Sequence, residues 1–214
     1  MKRYEDVLDD LIHMSKKVFP KENHQIEEKA RILYDGYCKL EAGKPKEITM
    51  HTVKKIYPCI AFYKAVIEIT NQREQAYFLI EKYFAEQCEI YAKKLQKLCH
   101  IPFVYMLVPK IMATVIHRNF GVKSGFEMID YKTKYNTCHI DMTKCPYFSA
   151  CSTNGCPELT TAFCNSDDIA YGNMHPKLSW ERKKTLGRGD NCCDFILRIK
   201  SNTKMDNEIG GITQ

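Results

Sequence analysis

No two cysteines of the chain are spaced C-x-x-C, although there are eleven of them. Zinc ribbons and iron–sulfur sites usually set two ligands on one turn, because that spacing builds the tetrahedral geometry. Cys145, Cys151, Cys156 and Cys164 are separated by five, four and seven residues, so a structural metal is disfavoured and no cofactor is expected. Paired-histidine finger spacing, an arginine-rich arm and a single-strand-binding signature are also missing. The formal charge of +6, from 32 basic and 26 acidic residues spread along the chain, does not by itself argue for nucleic acid. Long apolar runs are absent too. The most apolar stretch, IPFVYMLVPKIMATVI from Ile101 to Ile116, is too short to span a bilayer and is interrupted by Pro109 and Lys110. The opening residues MKRYEDVLDDLIHMSKK alternate charge with apolar positions and hold no continuous apolar core. These absences lead to the expectation of a soluble cytoplasmic protein with no membrane or nucleic-acid partner.

What the chain does have is thiols. Eleven is an odd number, and without an export signal a disulfide framework fits poorly. Reduced cysteines fit better, and seven of the eleven fall between Cys138 and Cys193. With 214 residues the chain buries a sizeable core without staples.

The hydrophobic period changes near residue 122. Before it, residues 3–18, 22–42 and 49–69 read as helices, and Asn71 with Glu74 makes a capping pair for a long helix reaching Leu98. A further helix, kinked at Pro109, ends near Gly121, which suits a left-handed cap. Phe62, Tyr77, Phe78, Phe84 and Met112 read as core, and His51, His100 and His117 as caps, surface or packed side chains. After Gly125 the stretch FEMIDYKTKYNTCHIDM reads as one long strand or two, with a bulge. A loop then leads to a helix starting at Pro157 and ending at Gly172. Two strands, Leu178 to Leu186 and Cys193 to Ile199, are joined by a glycine-rich turn at Gly187 and Gly189. The expected fold is α+β: an N-terminal helical region (1–121) packed with a small antiparallel sheet and one helix (122–200), followed by a flexible polar tail (201–214).

Chemistry concentrates in the second half. The helix from Pro157 puts Cys164, Asp167 and Asp168 on one face. On the next strand Trp180, the only tryptophan, shares a face with Arg182, and an arginine on a half-buried face needs an anion or a stacking partner. A substrate carboxylate, Asp167, Asp168 or Glu158 would each serve. His175, held extended by Pro176, titrates near neutrality and could act as acid or base. In the doublet Cys192–Cys193, strand alternation sends Cys193 with Phe195, Leu197 and Ile199 to the apolar face. Cys192 goes with Asp194, Arg198 and Lys200 toward solvent or the strand's far side. Asp194 is expected to tie down the Gly187–Gly189 turn.

The runs CPYF, GCPELTTAFCNSDD and HPKLSWERKKTLGRGDNCCDF, in that order, resemble the L-2-amino-thiazoline-4-carboxylic acid hydrolase family. The resemblance falls on Cys145, Glu158, Cys164, Asp168, His175, Arg182, Gly189, Cys193, Asp194 and Phe195, but not on Cys138, Cys151, Cys156 or Cys192. It implies hydrolysis of a cyclic amidine-like ring to an N-carbamoyl amino acid. On that reading Cys193 or Cys164 is a nucleophile activated by His175, or water attacks directly. Asp168 or Glu158 holds or protonates the ring nitrogen. Arg182, beside Trp180, grips the carboxylate of a small-molecule substrate, and N–H groups around Gly189 stabilise negative charge. Homo-oligomerisation is left open. The ending is also similar in layout to 4-vinyl reductase domains, which makes a ligand-binding sensor without catalysis the alternative; a cysteine-rich structural protein is a third reading.

Overall fold

Spacing of apolar side chains sets the first half. The computed structural model describes residues 7–200. Helix α1 (Val7–Val18) buries Val7, Leu8, Leu11, Ile12 and Ser15, one stripe at helical period. Helix α2 (Asn23–Leu40) buries Ile26 and Ala30. Helix α3 (Lys46–His51) runs through a π-turn at Thr52–Ile56 into α4 (Tyr57–Thr70), where Pro58 through Tyr63 are all buried. An element apolar on all sides belongs in the middle, and α1, α2 and α5 (Arg73–Cys99) pack around α4. Each Ile or Phe fully buried there contributes about 1.5–3 kcal/mol.

Two capping expectations are corrected. Asn71 does not open α5. It closes α4 in the left-handed conformation at φ 56, its N–H bonded to the Ile67 carbonyl, and α5 starts without a side-chain cap. Helix α6 (Val104–Asn119) contains Pro109 and ends as expected, but Gly121 is extended at φ −85. The left-handed residue is Gly125 at φ +84, after a short 3₁₀ turn.

The second half is a four-stranded antiparallel sheet in the order β1-β2-β4-β3, so the fold is α+β. Strands β1 (Glu127–Asp130) and β2 (Thr137–Lys144) are separate, with a register shift at Glu127/Met128. The expected loop after them is partly helix α7 (Pro146–Thr153), so this half holds two helices rather than one. Pro146 starts the first turn, and a helix of Ser, Thr and Cys shows little periodic signal. Helix α8 (Leu159–Tyr171) begins two residues later than expected.

Strand β3 (Leu178–Glu181) also stops short of Leu186. Past Glu181, the N–H groups of Lys183 and Lys184 turn to the Asp194 carboxylate at 2.8 and 2.5 Å, and that of Thr185 to Asp190 at 2.8 Å. Asp194 thus ties down the segment before the turn, and Asp190 the turn itself. Strand β4 (Cys193–Ile199) pairs with both β2 and β3.

One face of the sheet carries Cys138, Ile140, Met142, Leu178, Cys193 and Leu197 into a second core beneath α6. Helix α8 faces both cores: it packs along α5, and its Leu159 and Phe163 join the helical core. The two regions expected from the sequence therefore share this helix. The polar tail, and residues 3–6 of the first expected helix, lie outside the described residues.

Candidate functional site: a thiol pair between helix and turn

Alternation on β4 sends Cys193 inward, and α8 brings Cys164 to meet it within hydrogen-bond reach. The turn before β4 closes over the pair. The Leu186 N–H donates to Cys193 Sγ at 3.3 Å. Gly187 passes so near α8 that a Cβ there would sit 3.1 Å from Thr160 Cγ2 and 3.3 Å from Cys164 Sγ. Only glycine lets the turn come that close.

The two thiols are electrostatically unequal. Cys193 is lowered from the usual thiol range, first by the hydrogen bond from Cys164, then by the Leu186 N–H and the charge of Arg182, against burial and Asp167. Cys164 is raised, by the same shared proton, by burial and by nearby Asp167. The arrangement places the Cys164 thiol to donate to Cys193 Sγ, which makes Cys193 the more readily ionised of the two. Cys164 is half-buried while Cys193 is buried, so Cys164 is the one nearer to solvent. Cys145 borders the pair at the start of α7. The Tyr147 and Phe148 N–H groups point at its sulfur, yet burial pushes its thiol up to about 12.

Arg182 holds the other end of α8. Its side chain is only 1% exposed, and it donates to Asp167 at 3.1 Å, to Asp168 at 2.6 Å and to the Cys164 carbonyl at 2.7 Å. The second Asp168 oxygen accepts from Trp180 Nε1 at 2.9 Å, and the guanidinium lies over Phe195. Two buried polar atoms near this end, Arg182 Nε and the Thr185 hydroxyl, have no hydrogen-bond partner among the described residues. Burial pushes Asp167 up to about 6, opposed by Arg182 and helped by the charge of Asp168. Since 40% of its side chain stays accessible, water reaches it and softens that effect.

The structure thus brings together Cys164, Cys193, Asp168, Arg182 and Trp180. It leaves three expected residues elsewhere. Glu158 accepts from Tyr63 at 2.5 Å and Arg73 at 3.0 Å, anchoring the start of α8 to α4 and α5. His175 stacks on Tyr105 at 4.6 Å and abuts His100, with Nδ1 accepting from the Lys177 N–H. Around Gly189, whose φ is +90, the N–H groups of Arg188, Gly189 and Asp190 all bond within the turn, so they are committed to the turn. Cys192 lies on the far side of the sheet from Cys193, one of the two placements expected, and is buried there beside Asp141.

Sequence reasoning missed Lys55, Gly187 and Thr185. Lys55 lies in the π-turn, where burial lowers its pKa against the pull of Cys88 and Asp167. A helical pattern gives no sign of a π-turn, although such turns often occur at functional sites.

Fold and site together define a small α+β protein whose distinctive feature is a hydrogen-bonded cysteine pair held between a helix and a glycine turn. The chain belongs to the L-2-amino-thiazoline-4-carboxylic acid hydrolase family, whose model matches residues 49–197. The match covers every residue of the thiol centre and leaves out α1 and α2. No curated protein matches the chain, and no solved structure does.

Proposed function

We propose that the protein hydrolyses a small cyclic amidine bearing a carboxylate, of the 2-aminothiazoline-4-carboxylate type, with Cys193 as nucleophile. The observation that supports this most is the polarity of the thiol pair: Cys193 accepts from both the Leu186 N–H and the Cys164 thiol. A thiolate is the nucleophilic form of cysteine, and no separate base is needed to make it here.

In the proposed sequence the Cys193 thiolate attacks the ring carbon between sulfur and nitrogen. The ring C–S bond breaks, and the departing sulfur takes the Cys164 proton. The enzyme then carries the amidine carbon on Cys193 as an isothiourea. One water adds to that carbon and expels Cys193, giving the N-carbamoyl amino acid with its free thiol and restoring the shared proton. Asp167, raised toward neutrality beside the pair, protonates or holds the ring nitrogen. It takes the part first expected of Asp168 or Glu158, because both Asp168 oxygens are already engaged. Arg182 acts from behind the pair, its terminal nitrogens holding α8 and its charge favouring the Cys193 thiolate, rather than gripping the substrate carboxylate as first expected, because its side chain is only 1% exposed. Substrate approaches past Cys164, the thiol nearer to solvent.

Purified protein is incubated with 2-aminothiazoline-4-carboxylate and the product followed by mass spectrometry. N-carbamoyl cysteine, together with a substrate adduct mapped to Cys193 after rapid quenching, is the expected result. Full turnover in both Cys164→Ala and Cys193→Ala defeats the thiol mechanism. No turnover of this compound or of related cyclic amidines defeats the reading as a whole.

A further inference from the structure

Between Ile90 and Phe126 the chain has no aspartate or glutamate, yet it holds Lys93, Lys94, Lys97, Lys110, Arg118 and Lys123. With 32 basic and 26 acidic residues overall, these six cations account for the whole formal excess of +6. The same stretch is where large apolar side chains face outward. On α6, Phe103, Leu107, Ile111 and Val115 recur every fourth residue and all are exposed, with Ile101 and Met106 beside them. The opposite side of the helix, with Pro109 and Ile116 buried, lies on the sheet. Phe103 is the most telling residue. It sits at the tip before α6 with φ 67, a conformation costly for a bulky side chain, and is 74% exposed. Its carbonyl accepts the Met106 N–H in the first turn of α6, while its ring is left out in water.

We infer that this face seats the protein on an anionic lipid bilayer surface. The apolar side chains enter the headgroup boundary, while Lys110 and Arg118, on the same exposed arc of α6, reach lipid phosphates along their aliphatic stems. A second copy is the weaker occupant, since a twofold contact would bring the Lys110 and Arg118 of one copy against those of the other. Asp130, an acid bordering the face, is engaged by His117 at 2.9 Å near the C-terminal end of α6. Among the described residues no helix is long and apolar enough to cross a membrane, so the docking is peripheral. This departs from the expectation of no membrane partner, and it is independent of the chemistry of the thiol pair.

The experiment is flotation of the full chain with phosphatidylcholine vesicles, with and without phosphatidylserine, at low and physiological salt. Binding is expected only with phosphatidylserine, falling as salt rises. The variant Phe103→Ser/Leu107→Ser is expected to bind about tenfold more weakly or less, with an unchanged thermal midpoint because both positions are exposed. Phe78→Ser, exposed elsewhere on α5, serves as the control and is expected to bind like the parent. No binding to phosphatidylserine vesicles, equal binding to both vesicle types, or a double variant that binds undiminished each overturns the inference. So does a parent dimer that the double variant converts to monomer, which would assign the face to a second copy.

Discussion

The protein has two close thiol pairs, and only one of them has the makings of a reactive centre. Cys151 and Cys156 lie 0% and 1% exposed in the helical core, each within hydrogen-bond reach of the other. Sharing a proton lowers Cys156 just as it lowers Cys193. Yet the Cys156 thiol is also placed to donate to the Cys151 carbonyl at 3.5 Å, a contact that needs the proton in place. Cys193 instead accepts a backbone N–H, a contact that favours losing it. Arg182 lies beside this second pair, and Cys164 is only half-buried. Proximity of two sulfurs is therefore not a site. The direction of the neighbouring hydrogen bonds and nearness to solvent decide it.

The largest effect expected breaks that comparison directly. Cys193→Ser should lower turnover about a thousandfold or more, the scale seen when a catalytic group is removed. Cys156→Ser should leave turnover within a few-fold and cost about 1–2 kcal/mol of stability for a polar change in a sealed core. Steady-state kinetics and urea midpoints check both. Equal losses of turnover would show that the two pairs are not different in kind.

Arg182 supplies the next test, because it sets one pair apart from the other. Arg182→Met leaves Asp167 and Asp168 beside each other without their cation. A sealed ion pair broken this way costs about 3–5 kcal/mol, but these carboxylates are 40% and 44% exposed, so about 2 kcal/mol is expected. Alkylation of Cys193 near neutral pH should also slow, since a nearby positive charge favours the thiolate. A stability loss with unchanged Cys193 reactivity would confine Arg182 to holding α8.

How much of this was legible in residues alone follows the same division. The inward turn of Cys193 could be read, because alternation on a strand is a strict period of two. Cys164, Asp167 and Asp168 could be placed on one helix face by their spacing, and Trp180 and Arg182 opposite them. What joined those faces could not be read. The contact of Gly187 with α8 depends on how helix and turn dock, and the glycine that looked functional, Gly189, only shapes the turn. His175 and Glu158 had suitable chemistry, but their loops and helix ends carry them to Tyr105 and Arg73. Helix α7 was hidden because its Cys, Ser and Thr residues give no apolar period.

Asp167 gives a smaller effect, with a sign that can be worked out. Its folded pKa is raised from 3.8 to about 6, so between those values the folded state binds more protons than the unfolded one. Its contribution to stability therefore falls as pH rises from 3.8 to about 6, and stays lost above that. Asp167→Asn should flatten this part of the stability–pH curve measured by urea melts. It should also lower the pH at which Cys193 alkylates, because the Asp167 charge raises both thiols. A variant whose curve keeps the parent slope would place the titration elsewhere.

The smallest effect separates the two glycines of one turn. Gly189 has φ +90 with nothing within 4 Å of its would-be Cβ, so Gly189→Ala costs about 1 kcal/mol of backbone strain and touches no thiol. Gly187 has an ordinary backbone but no room. An alanine methyl there meets Thr160 Cγ2 and Cys164 Sγ, so turn and α8 must part by a few tenths of an ångström, at a similar cost of about 1 kcal/mol. The two variants should thus melt alike and react differently. Lifting the turn draws the Leu186 N–H off Cys193 Sγ, so Gly187→Ala should raise the pH of half-maximal Cys193 alkylation while Gly189→Ala leaves it in place. If both variants leave that pH unmoved, the backbone N–H is not what eases ionisation of Cys193, and the Cys164 thiol alone sets the two pairs apart.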